Sequence, residues 1–119
     1  MLGQGRGPGA SARAAAEYAA SDDRPSAIIA ANDVVAFALV GELARRGVRV
    51  PDDVSVIGFD GLDLGARSNP RLTTIRQPID AMGEIALQLA SRLIAGDPAE
   101  HIVLEPSLLV RDSTRAVTS

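Results

Sequence analysis

Two short apolar runs, Ala27 to Ala31 and Val54 to Phe59, flank one amphipathic stretch from about Val34 to Arg46. This pattern constrains the chain more than any other. Each run is continuous rather than alternating, as in a strand buried on both faces. Asn32 or Asp33 can cap the intervening helix. Arg45 and Arg46 fall in its last turn, where positive charge suits the dipole. Gly47 stops it in the left-handed position that glycine favours. Gly41 lies inside it at a cost of about 1 kcal/mol relative to Ala, which implies a close helix contact. Pro51-Asp52-Asp53 turns the chain into the second run. Strand, helix and strand with short joints make a βαβ unit, whose crossover is expected to be right-handed. The fold class is therefore α/β with a parallel sheet.

Around this unit the chain is less regular. "MLGQGRGPG" places Gly at alternate positions but has no strand before it, so a phosphate-cradling loop is not expected. A flexible end is. Ser11 to Ala20 is Ala-rich and reads as a short helix, ended by "SDDRP" because Pro25 disfavours helix at Arg24. Gly61 to Pro70 reads as a loop, and Leu72 to Ile75 as a short extended piece. Pro78 suits a first helical position. Ile79, Met82, Ala86, Leu89 and Leu93 then form one apolar stripe, expected on a core-facing helix reaching about Ala95, with Gly96 beyond it. Ile102 to Glu105 and Leu108 to Arg111 are strand candidates, and Asp112 to Ser119 is a polar tail.

Composition removes several chemistries. The 119 residues contain no Cys, so disulfides, thiolate metal sites and cysteine nucleophiles are excluded. All twelve basic residues are Arg, so neither a Schiff base nor a P-loop lysine is available. A net charge of −3 gives no electrostatic footprint for nucleic acid. No apolar run is long enough to span a bilayer. Asp22-Asp23 and Asp52-Asp53 are carboxylate pairs, but both sit in turns beside Pro, where Asp is a common turn former. The single histidine, His101, lies beside a loop without a cluster for a metal or a triad. No catalytic constellation, cofactor site or metal site is expected.

The polar groups at the ends of the two apolar runs remain. Asn32-Asp33 follows the first and Asp60 ends the second. Open α/β sheets bind ligands at such carboxyl ends. Asn32 carries an acceptor and two donors, whereas an ionised Asp60 only accepts. Together they suit a polyol, whose hydroxyls both donate and accept. The spacing leaves a second reading open: Asn32 or Asp33 only caps the helix, and Asp60 only starts a turn. Asp33 and Asp60 also resemble the acidic pocket of a phosphoacceptor domain, but that chemistry wants a lysine.

The same residues carry a family resemblance. Pro25-Ser26-Ala27-Ile28, Ala30-Ala31-Asn32-Asp33, Gly47-Val48-Arg49-Val50-Pro51 and Asp53-Val54-Ser55-Val56-Ile57-Gly58-Phe59-Asp60 match, in order, the effector-binding core of LacI/GalR transcription regulators. "PRLTTIRQP" from Pro70 to Pro78, Met82-Gly83, and "LLVRDST" from Leu108 to Thr114 extend the resemblance to about Thr114. Any one of these motifs is weak, and the ordered set is highly specific.

The resemblance implies a partial periplasmic-binding-protein-like (type I) fold, with a parallel sheet flanked by helices. It implies the C-terminal lobe plus one helix, Pro78–Ala95, of the N-terminal lobe. It assigns contact with a sugar-like small-molecule effector to Asn32 and Asp60, and a helix cap near the site to Asp33. It also implies a homodimer, with the Val34–Arg46 helix and the Arg67–Pro70 loop facing the partner. The first strand of the lobe and its effector-clamping Arg are not evident. The expected organisation is a flexible Gly-rich stretch over residues 1–10, a partial effector-binding and dimerisation domain over 11–114, and a tail over 115–119. The expected function is the effector-binding part of a cytoplasmic regulator, not an enzyme. Operator DNA would be reached only through a helix-turn-helix, a pattern this sequence lacks. The alternative is part of a sugar transporter's solute-binding protein, which shares the fold.

Overall fold

The structure, a computed structural model, describes residues 8–117. The elements run α1 (Pro8–Ala20), β1 (Ala27–Ile29), α2 (Asp33–Arg45), β2 (Ser55–Ile57), a 3-10 turn (Asp63–Ala66), β3 (Thr74–Arg76), α3 (Ile79–Ile94) and β4 (Ser107–Leu109). Most of the glycine-rich stretch lies outside the described residues. Its last part, Pro8 to Ala10, opens α1 instead, because proline is tolerated in a first turn. The chain divides into two compact units. Gln77–Ser107 forms one, and the residues up to Arg76 and from Leu108 form the other.

In the larger unit, β1 and β2 pair in parallel, with Ala27 opposite Ser55 and Ile29 opposite Ile57. The α/β class with a parallel sheet is thus as expected. Ala14, Ala15 and Tyr18 of α1 join Ala36, Leu39 and Leu43 of α2 and Ile28, Val54 and Val56 of the strands in one core. Small side chains let the two helices approach, and Ser11 Oγ donates to the Val35 carbonyl at 3.1 Å. Gly41 plays no part in this contact, contrary to its sequence reading. Nothing comes within 4 Å of where its Cβ would stand. Nor is β1 buried on both faces. Ile28 is 3% exposed but Ile29 is 64% exposed, because the helices that shield Ile28 leave the opposite face uncovered.

The second edge of β2 is shared by two later segments. Val56 N–H donates to Ser113 O, Gly58 N–H to Thr73 O and Asp60 N–H to Ile75 O, at 2.9 to 3.0 Å. Ser113 is fully buried. Its hydroxyl donates to Val56 O at 2.6 Å and accepts from Thr73 N–H at 2.8 Å. The segment read as a polar tail from Asp112 is therefore fastened at its start. Arg71 pairs with Asp112 at 2.7 Å, and Arg115 N–H donates to Ser55 Oγ. Thr118 and Ser119 lie outside the described residues.

β3 and β4 pair with each other. The earlier candidate, Ile102 to Glu105, forms no strand. In the smaller unit, Pro78 is the cap of α3 rather than its first residue. No residue of α3 is buried, and Met82 and Leu93 of the stripe are exposed. The stripe is therefore not core-facing within this chain: Ile79, Met82, Ala86 and Leu93 are exposed and Leu89 is half-buried, in keeping with a helix that the resemblance assigns to the other lobe. Gly47 and Gly96 follow their helices with φ of 75° and 93°, as glycine stops do.

Two outcomes follow from this packing. Leu43 is fully buried in the centre of the core. Leu43→Ala is expected to lower unfolding free energy by about 2–5 kcal/mol, read by urea denaturation. Hydrogen bonds from Arg49 hold the Asp53 carboxyl below the usual carboxylate range, and those from Arg71 do the same for Asp112. Both acids bind protons less readily folded than unfolded. Their contribution is complete above the unfolded carboxylate value of about 3.9 and is lost as pH falls through their lowered values. Carboxyl carbon NMR titration would show both midpoints below that of a peptide Asp.

Candidate functional site at the strand ends

The β1–β2 register carries forward to the polar groups. Ala30 N–H donates to Ile57 O and Asp33 N–H to Phe59 O, each at 2.8 Å. Asn32 and Asp60 therefore stand the same distance along the chain beyond the last paired residues, Ile29 and Ile57. Both are half-buried.

Asn32 is the cap of α2. Its backbone is extended, and its Oδ1 accepts from Val35 N–H at 2.9 Å. The assignment of the cap to Asp33 is thus corrected. The cap must precede the first helical turn to reach back to its free N–H groups. Asp33 is already helical. Capping uses the Oδ1 acceptor of Asn32, and its amide NH2 is a separate donor group that the cap does not use.

Asp33 has a different task. Its side chain is fully buried. Oδ2 accepts from Leu62 N–H at 2.8 Å, and Oδ1 accepts from the Thr74 hydroxyl at 2.6 Å. A buried carboxylate is costly unless hydrogen-bonded, and the N-terminus of α2 adds a favourable dipole. One carboxylate thus ties the start of α2 to the loop after β2 and to β3. Gly58 makes room for it. A Cβ there would run into Asp33 Oδ1 and stand 2.9 Å from Leu72 Cδ2.

Asp60 occupies strained backbone. Its φ is 126°, the only positive value for a non-glycine residue among those described. Such geometry costs on the order of 1–3 kcal/mol and persists only where its surroundings enforce it. Here Asp60 N–H is held by Ile75 O, and Gly61 follows at φ 79°. A Cβ at Gly61 would lie 2.8 Å from Arg76 Cα. The backbone passes too close to β3 for any other residue.

His101 is exposed, and Asp53 is engaged with Arg49 at 3.2 Å. Among the described residues, no three His, Asp or Glu side chains are grouped to hold a metal ion. A cavity of about 400 Å³ lies elsewhere, between the second half of α2, the turn at Gly47 to Asp52, and Asn69-Pro70. The roles of Gly58, Leu62 and Thr74 were missed in the sequence. The available signal was that two adjacent polar residues, Asn32 and Asp33, cannot both cap one helix.

Comparison with known proteins yields a consistent set. A family profile described as a periplasmic binding protein-like domain matches residues 2–114. The HTH-type transcriptional repressor PurR of Photobacterium profundum is 42% identical over 104 residues, which are 86% of this chain and 31% of that protein. A LacI family transcriptional regulator from Arthrobacter sp. FB24, in complex with lactose, superposes with a TM-score of 0.79 at 32% identity, over 91% of this chain and 41% of that one. One from Enterococcus faecium, with bound ribose, gives 0.83 at 30% identity, over 93% and 41%. The chain spans about 26% to 32% of the length of curated relatives that it matches.

The two glycines with opposite surroundings give a paired outcome. Gly58→Ala is expected to destabilise by about 1–3 kcal/mol through overpacking against Asp33, and to shift the Leu62 amide resonance. Gly41→Ala fills open space on a helix and is expected to stabilise by about 0.4–1 kcal/mol. Denaturation of both variants checks the contrast.

Proposed function

Because this chain belongs to the periplasmic binding protein-like domain family, of the LacI/GalR kind, we propose that it is the effector-binding and dimerisation part of a transcription regulator. The effector is a sugar or similar polyol. The observation that carries this is the placement of Asn32 and Asp60 at matching positions beyond two paired parallel strands. Their hydrogen-bond capacities are complementary. Asn32 presents amide donors, and the Asp60 carboxylate presents acceptors. A hydroxyl between them can accept from one and donate to the other. The lactose and ribose held by the two structural neighbours are of this chemical class.

The chain binds rather than catalyses in this reading, and it requires no cofactor. A second copy of the chain would meet α2 and the Arg67–Pro70 loop, near the cavity lined by Val40, Ala44, Val48 and Pro70. DNA contact would fall to a helix-turn-helix, a pattern that these 119 residues do not carry. A regulator works beside DNA, which places it in the cytoplasm. Among the described residues, no helix is long and apolar enough to cross a membrane. The relatives compared above are regulators, which favours this reading over a transporter's solute-binding protein.

Titration calorimetry of the chain with lactose and with D-ribose tests the proposal. Asp60→Ala removes one or two hydrogen bonds to a charged acceptor, each worth about 1.5–3 kcal/mol, and should weaken binding from roughly tenfold to well over a hundredfold. Asn32→Ala should weaken it less while also costing about 1 kcal/mol of stability as a lost cap. Unchanged affinity in Asp60→Ala would remove Asp60 from the site. Failure of the unmutated chain to bind either sugar would count against this class of effector.

A further inference from the structure

We propose that Asp33 is the positioning residue of the strand-end site: it holds the Asp60 turn in its binding geometry without touching the ligand. The proposal rests on the reading of Asp60 as a ligand group. Its structural basis is independent of that reading.

Asp33 is fully buried and so out of reach of a ligand. Its two oxygens are committed to Leu62 N–H and to the Thr74 hydroxyl. Leu62 follows Asp60-Gly61, the two residues of the turn with positive φ. The turn is thus gripped on both sides of Gly61. Asp60 N–H is tied to Ile75 O, and Leu62 N–H to Asp33. Thr74 precedes Ile75 in β3, so the same carboxylate also anchors the strand that supplies the other grip. Asp33 N–H in turn donates to Phe59 O, immediately before the turn. Three ties around Asp60 thus involve Asp33 directly: the bonds to Phe59 O, to Leu62 N–H and to Thr74, the neighbour of Ile75. Gly58 serves the same end by leaving space for the carboxylate. Strained backbone persists only where it is over-determined, and these bonds supply that constraint.

A role of Asp33 confined to global stability predicts a different outcome. Amide hydrogen exchange of the 119-residue chain separates the two. Asp33→Ala should speed exchange at Leu62 by at least tenfold relative to Val56, whose amide bonds to Ser113 in the core. Asp33→Asn should restore most of the protection, because its Oδ1 can accept from Leu62 N–H while its amide donates to Thr74 Oγ1. Thr74→Val removes only one tie and should raise the Leu62 to Val56 ratio severalfold. It keeps the test open if Asp33→Ala fails to fold. Exchange that rises equally at Leu62 and Val56 would overturn the proposal, whether or not a sugar binds.

With lactose and D-ribose as probes, Asp33→Ala should weaken any binding of the unmutated chain at least tenfold, and Asp33→Asn should recover it. A loosened turn with unchanged affinity would overturn the positioning role. Lost affinity in Asp33→Ala with full affinity in Asp60→Ala would instead sink the reading of Asp60 as a ligand group and leave the grip on the turn intact.

Discussion

The contact on which the upper part of the larger unit depends is a buried carboxylate with two donors. Asp33 places charge where no water reaches, and that is tolerable only with both oxygens satisfied. Satisfying them fixes three chain segments at once: the first turn of α2, the loop after β2, and β3. The hydrophobic core beneath is built from Ala, Val, Leu and Ile side chains and one Tyr. Such packing is non-directional and would tolerate small shifts of a strand end. The Asp33 hydrogen bonds are directional and would not.

Much of this was legible in the sequence. The apolar runs, the capping pair and Gly47 identified β1, α2 and β2 because each signal is local. The same signals fixed where Asn32 and Asp60 stand, since register follows from the pairing of the two runs. What failed depended on distant partners. The exposure of Ile29 follows from the lack of a covering layer, which no window of sequence reports. The open surroundings of Gly41 are likewise a tertiary fact. The exchange of roles between Asn32 and Asp33 came from Leu62 and Thr74, two residues with no marking in the linear pattern.

Division of labour between adjacent residues is the main lesson of the site. Asn32 caps with the oxygen of its amide, which leaves the cap independent of its NH2 group. Asp33, next to it, turns inward and becomes inaccessible. Helical geometry permits both because the cap is still extended while its neighbour has entered the first turn. A single Asn-Asp step thereby supplies a helix start, a potential ligand contact and an internal brace. Asp60, on the neighbouring strand end, has an irregular backbone that glycine alone would adopt freely.

The closure of β2 by Ser113 has a consequence for the order in which the chain is made. Ser113 lies fifty-seven residues after Val56, yet its hydroxyl and carbonyl complete the lower half of that strand's second edge. A ribosome releases β1, α2 and β2 long before it releases Ser113. Through that interval the nascent βαβ unit carries a strand with unpaired backbone groups beside a buried core. Such an edge is a template for pairing with another chain. The unit must therefore wait for its own late segment, and slow or interrupted synthesis would lengthen its exposure to its neighbours on the same message.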